Sequence, residues 1–145
     1  MLKGVFDGWN GSILAYGQTS SGKTFTMQGV MMKEKLKGIV PRLIDNIFKH
    51  ITDSPDYLEF VVSISMVEIY CEVVRDLLNP NQTKKVRIRQ DKKKGVVLEN
   101  ITVICVGDEL EVEEVFNSGI GNRKIGRTNM NAVSSRSHMI SMIEI

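Results

Sequence analysis

Residues Gly17-Gln18-Thr19-Ser20-Ser21-Gly22-Lys23-Thr24 match the pattern G-x-x-x-x-G-K-[ST], and this octet constrains the local fold more than any other stretch of the chain. Such a loop is entered from a strand and left through a helix, because its backbone N–H groups must wrap a polyphosphate while the helix start adds the positive end of its dipole. Lys23 is placed to neutralise β/γ oxygens, and Thr24 offers a hydroxyl of the kind Mg²⁺ takes as a ligand. Gly17 and Gly22 stand where a side chain would obstruct the wrap or force an unfavourable φ. The apolar run Ser12-Ile13-Leu14-Ala15-Tyr16 reads as the entering strand, and the segment from Gly22 towards Met27 as the helix. A Gly-rich turn of purely structural use is the bland alternative. The full octet in this setting points instead to a chain that binds a nucleoside triphosphate or descends from one that did.

With 145 residues, 42% of them hydrophobic and 25% charged, the sequence has the make-up of one soluble globular domain. A formal charge of +2 decides nothing about partners. No apolar run reaches membrane-spanning length, and Met1-Leu2-Lys3-Gly4 lacks the apolar core of a signal peptide. Cys71 and Cys105 are far apart and lack metal-ligand spacing, which suggests reduced thiols and a cytoplasmic setting. Both ends look abrupt. Met1 opens inside a helical pattern that sets Val5, Phe6 and Trp9 on one face, with Gly8 or Gly11 as its stop, and Ile145 falls within a strand pattern. The expectation is a domain truncated at both ends.

Further along, Pro41 opens a helix whose Val40, Leu43, Ile44, Ile47, Phe48 and Ile51 follow the i, i+3, i+4 spacing. Leu58 to Tyr70 is a long β segment, apolar on both faces in places as expected of a covered strand. Val73, Val74, Leu77 and Leu78 suggest a short helical turn ending at Asn79-Pro80. Lys84 to Arg89 and Val96 to Val106 read as two strands around a polar turn. Asp108 caps a further helix with Glu111 three residues on, and Val112, Val115, Phe116 and Ile120 form its buried face. Met139 to Ile145 is the last strand. Strands alternating with helices predict an α/β layered domain with a mostly parallel or mixed sheet.

Asn129-Met130-Asn131-Ala132-Val133-Ser134-Ser135-Arg136-Ser137-His138 is dense in hydroxyls. By itself it is either a solvated Ser-rich connection or a loop that orders its hydroxyls and amides around a γ-phosphate. The wording of the two loops together resembles one family. Tyr16 to Thr24 is similar to the kinesin motor P-loop, and Asn131-x-x-Ser134-Ser135-Arg136-Ser137-His138 to the kinesin switch I signature. Gly38-Ile39-Val40-Pro41-Arg42, Val67-Glu68-Ile69-Tyr70 and Arg75-Asp76-Leu77-Leu78 fit the same family in order.

The resemblance implies a P-loop NTPase three-layer α/β/α sandwich over residues 1–145. The P-loop would lie at 17–24 and switch I at 129–138, with the N-terminal strand and switch II outside the chain. Its implied substrate and cation are ATP and Mg²⁺. Gly17, Gln18, Thr19, Ser20, Ser21, Gly22 and Lys23 would hold the phosphates, Thr24 and Ser135 would ligate Mg²⁺, and Phe25 would stack on adenine in place of the His of several kinesins. Ser134 would help position the attacking water, Asn131 would line the γ-phosphate pocket, and Arg136 would pair with a switch II Glu. Glu144, by contrast, reads as the polar member of an alternating strand and not as a catalytic acid.

The activity implied is microtubule-stimulated ATP hydrolysis and movement along microtubules in the complete protein, in the cytoplasm and on the cytoskeleton. This stretch alone would be inactive without switch II. A fragment that only binds nucleotide or microtubules is the alternative, and a P-loop kinase or GTPase is disfavoured because no N-K-x-D motif is present. The basic run Lys84 to Lys94 is either a solvated hairpin or a contact for an acidic surface, which the resemblance makes tubulin. Nucleic acid is not expected as a partner, since no aromatics interleave the basic residues, and neither is a membrane. Oligomeric state is not legible.

Overall fold

A nine-residue strand, β1 (Val62–Tyr70), organises the larger part of the molecule. The computed structural model describes residues 2–30, 33–93, 95–128 and 137–145, with residues 124–128 described by backbone alone. The chain divides into two compact units, Met1–Phe60 and Val61–Ile145.

In the second unit β1 has partners on both edges. A hairpin joins it to β2 (Val73–Asp76) with Tyr70 opposite Val73, so Cys71 and Glu72 form a two-residue loop. Both loop residues have positive φ, 48° and 62°, the backbone of a type I′ turn whose twist matches that of the strands. The short helical turn expected around Val73 is therefore a strand. What mimicked a helix is the turn after it, where Asp76 Oδ1 accepts the Leu78 and Asn79 amides at 2.8 and 3.2 Å. β3 (Arg87–Asp91) and β4 (Gly95–Glu99) make a separate hairpin. The strand expected over Val96 to Val106 splits there: Asn100, at φ 59°, breaks the extended backbone, and β5 (Ile104–Val106) joins β1 instead.

Helix α4 (Glu109–Thr128) follows. Asp108 Oδ1 accepts the Glu111 amide at 2.8 Å while Glu111 Oε2 accepts the Gly107 amide at 2.7 Å, a reciprocal start close to the capping box that was expected. Val112 and Phe116 are fully buried. At Gly119 a Cβ would lie 2.7 Å from Met66 Sδ, so the missing side chain lets the helix approach β1. Strand β6 (Ser137–Glu144) then runs antiparallel to β1 over its length, from Tyr70 opposite Ser137 to Ser63 opposite Glu144.

Among the described residues every strand pairing is antiparallel, where a mostly parallel or mixed sheet is expected from the sequence. The reason lies in the order of the chain. β5 pairs with residues 62–64 of β1 and β2 with residues 67–70, so they share one edge, while β6 takes the other. β5 and β6 thus run in the same direction on opposite sides of β1, linked by α4. The strand–helix–strand pattern is real, but an earlier antiparallel strand lies between its two strands.

In the first unit, helix α3 (Ile39–Thr52) buries Pro41, Ile44, Ile47 and Phe48. Pro41 lies in its first turn, where a missing N–H removes no helical bond. The short helix α1 (Leu2–Phe6) sets the Phe6 ring on that of His50, centroids 3.7 Å apart. Gly8 at φ 89° ends this stretch, and Trp9, expected on one face with Val5 and Phe6, is 74% exposed. A loop from Gly29 to Gly38 is closed by a bridge between Gly29 and Lys37. Lys37 pairs with Asp45 at 2.7 Å and Glu34 at 3.0 Å, and the Asp45 carboxylate chiefly holds its ammonium above the ordinary lysine range. Among the described residues, no helix is long and apolar enough to cross a membrane.

Candidate functional site

The octet runs directly into helix α2 (Lys23–Met27), as its pattern requires. The entering strand is not formed. Residues 12–16 carry no strand pairing among the described residues, and Leu14 and Tyr16 stand 88% and 96% exposed. Without a neighbour to accept its backbone bonds an apolar run gains nothing from being extended.

The loop itself is ordered by its own backbone. The Ser21 amide donates to Gln18 O at 3.2 Å, Ser20 and Gly22 have φ of 65° and 89°, and the Thr26 amide returns to Gly22 O at 2.8 Å. Left-handed residues placed close together in this way favour the amide-lined concavity that receives anions. The two glycines serve different ends. Gly22 has open space around a notional Cβ, so it is its left-handed backbone that calls for glycine. At Gly17 a Cβ would fall 2.5 Å from Ser21 Oγ and 3.3 Å from Ser21 Cβ, so it would displace the Ser21 hydroxyl from its place against the turn.

Lys23 folds back across this turn. Its Nζ donates to Gly17 O at 2.8 Å and Gln18 O at 2.6 Å, which uses two of the three donors of an ammonium and holds the charge over the mouth of the loop. Thr24 is solvent-exposed at the first turn of α2, and Phe25 presents a ring that is 57% exposed. A turn with two left-handed residues and a cation tethered across it fit a polyphosphate group.

Asn131, Ser134, Ser135 and Arg136 lie outside the described residues, as does Lys94. Of the expected switch segment, Ser137 and His138 begin β6, where His138 is opposite Ile69. Glu144 is an exposed member of the same strand, opposite Ser63. The basic hairpin is wholly exposed along β3, and Arg89 pairs with Glu99 at 2.7 Å across it.

Two polar groups of the interior escaped the sequence reading. Asp76 is 4% exposed and its second oxygen, Oδ2, accepts the Thr102 amide at 2.7 Å. Glu68 faces Arg123 of α4 at 3.1 Å. A carboxylate within an otherwise apolar strand was the available signal for Glu68. Its partner, 55 residues away, left none.

Comparisons with known proteins give the family. The kinesin motor domain family model matches residues 1–145. A kinesin heavy chain from Syncephalastrum racemosum is 52% identical over 97% of this chain, and kinesin-like protein 3 of Schizosaccharomyces pombe is 42% identical over 97%. The solved structure of a fast kinesin, described in terms of its ATPase mechanism and its interactions with microtubules, superposes with a TM-score of 0.91 at 38% identity over 98% of this chain. The fold is thus the P-loop NTPase-like fold of kinesins. The chain belongs to the kinesin motor domain family. It spans 15% and 25% of the two curated relatives and 40% of the solved chain.

Proposed function

We propose that this chain is the nucleotide-holding part of a motor that hydrolyses ATP and moves along microtubules in the cytoplasm. The observation that carries the reading is the Lys23 ammonium, tethered at 2.8 and 2.6 Å to the carbonyls of Gly17 and Gln18 at the start of the octet. Residues Gly17 to Gly22 hold the phosphates through backbone amides, Lys23 neutralises β/γ oxygens, and Phe25 stacks on the base. The Thr24 hydroxyl, with that of Ser135, would hold Mg²⁺. Magnesium ATP supplies the phosphoryl bond to be broken and the cation that screens its charge. The remaining work is positioning and electrostatics, as is general for this class of reaction. Asn131 and Ser134 line the γ-phosphate side, and Arg136 pairs with an acid of switch II. In the whole protein the sheet described here is part of a three-layer α/β/α sandwich.

Microtubules are the partner, and the basic hairpin is the contact within this chain: an exposed strand with Arg87 and Arg89, next to Lys92 and Lys93. The test is phosphate release by the complete protein with and without microtubules, and stimulation is the expected result. Replacing Lys92, Lys93 and Lys94 with alanine is expected to weaken co-sedimentation with microtubules at low salt and much less at 0.1 M and above, where exposed charges are screened within ~10 Å. Equal co-sedimentation at low salt would leave the hairpin a solvated face, and no phosphate release with or without microtubules would favour a module that binds without turning over.

A further inference from the structure

Arg123 joins three elements at once. Its Nε donates to Glu68 Oε1 on β1 at 3.1 Å, its Nη2 donates to Ser137 Oγ at 2.9 Å and reaches the Ser137 carbonyl at 3.4 Å, and its Nη1 lies 3.9 Å from Met139 Sδ. The pair is enclosed, with the Arg123 and Glu68 side chains 12% and 9% exposed. One residue earlier, Asn122 Nδ2 donates to Leu77 O at 2.7 Å and holds the same turn of α4 from the side of β2. Ser137 is the first residue of β6, and Arg123 lies in the closing turns of α4. A single guanidinium therefore ties the C-terminal part of the helix to the first residue of the strand, with the central strand as anchor.

We infer that Arg123 is a positioning residue for the hydroxyl-rich segment between α4 and β6, holding its two shoulders in register against Glu68. The inference rests on the reading of that segment as the γ-phosphate side of the site. The chemistry favours arginine, because its planar fork serves a carboxylate and a second acceptor in different directions, whereas a lysine ammonium on a flexible stem cannot keep both in one geometry. Enclosure explains the carboxylate within an apolar strand, since a desolvated guanidinium needs a counter-charge. If the shoulders shift by about 1 Å, groups carried between them lose alignment, and misplacement of that size can cost about 100-fold in rate.

A residue that only neutralised a buried charge would respond to loss of the ion pair and be indifferent to Ser137. Three variants separate the roles in the complete protein: Arg123→Lys keeps a charge for Glu68 but loses the fork, Ser137→Ala removes the shortest of the bonds to β6 and leaves the ion pair, and Glu68→Gln removes the charged anchor. The readouts are kcat, affinity for a fluorescent ADP analogue, melting temperature, and amide exchange over residues 120–128 and 137–140.

Arg123→Lys is expected to lower kcat about tenfold with ADP affinity within about twofold, and to speed exchange on both shoulders. Ser137→Ala is expected to lower kcat about threefold with an unchanged melting temperature. Glu68→Gln is expected to speed the same exchange and to lower the melting temperature as well. Unchanged kcat and exchange in Arg123→Lys and Ser137→Ala would overturn the inference, as would a loss of kcat that tracks affinity and melting temperature. If the wild-type protein shows no Lys23-dependent hydrolysis, the functional reading fails separately. Exchange on the two shoulders then decides the clamp, and unchanged exchange in Arg123→Lys overturns it.

Discussion

Replacing Lys23 with alanine is expected to weaken magnesium ATP binding about 100-fold, the value of losing one or two charge-assisted hydrogen bonds to phosphate. Two separate effects combine in that loss. The ammonium ceases to neutralise the β/γ oxygens, and the bonds from Nζ to the carbonyls of Gly17 and Gln18 disappear, so the turn is no longer held in shape before the ligand arrives. Calorimetry on wild type and variant measures both, because a loss of preorganisation adds an unfavourable entropy to the lost contact. A variant that binds magnesium ATP as tightly as wild type would remove Lys23 from the site.

The second large effect concerns folding. Asp76 sits 4% exposed at the end of β2, and its two oxygens receive three backbone amides: Leu78 at 2.8 Å, Asn79 at 3.2 Å and Thr102 at 2.7 Å. The first two shape the turn after the β1–β2 hairpin. The third holds the segment that leads into β5, across 26 residues of sequence. Asp76→Ala leaves three part-buried amides without their acceptor and is expected to cost about 3 kcal/mol, or roughly 10 °C in melting temperature. Asp76→Asn should cost less, because one carbonyl oxygen can still serve Leu78 and Asn79 while its amide group faces the Thr102 N–H donor to donor. Denaturant titration of the two variants checks the order, and a loss below about 1 kcal/mol for the alanine variant would show that water or another group takes over.

What the sequence made legible follows from the range of the signals. Local ones carried through: the octet running into a helix, Pro41 in the first turn of α3, and Asp108 with Glu111 at the start of α4. Signals that depend on a distant neighbour did not. Residues 12–16 have the composition of a strand but no strand pairing among the described residues. Val73 to Leu78 has the spacing of a helical turn, yet the positive φ of Cys71 and Glu72 turns the chain back onto β1. Neither residue is a usual choice for that backbone, so local composition concealed the hairpin. The antiparallel pairing of the described strands is hidden for the same reason, since β1 between β5 and β6 is visible only once the pairing is known. In the candidate site the loop and its lysine could be read directly, whereas Arg123, Glu68 and Asp76 act through partners far away in sequence.

The central claim is that Gly17 to Thr24 is where this chain holds its polyphosphate, and amide resonances followed during a magnesium ATP titration of the isotopically labelled chain test it most directly. The account predicts saturable shifts that are largest at the amides of Gln18 to Thr24, with the Lys23 side chain moving from the carbonyls of Gly17 and Gln18 towards the ligand. Saturable shifts centred elsewhere, with the octet amides unmoved, would contradict it.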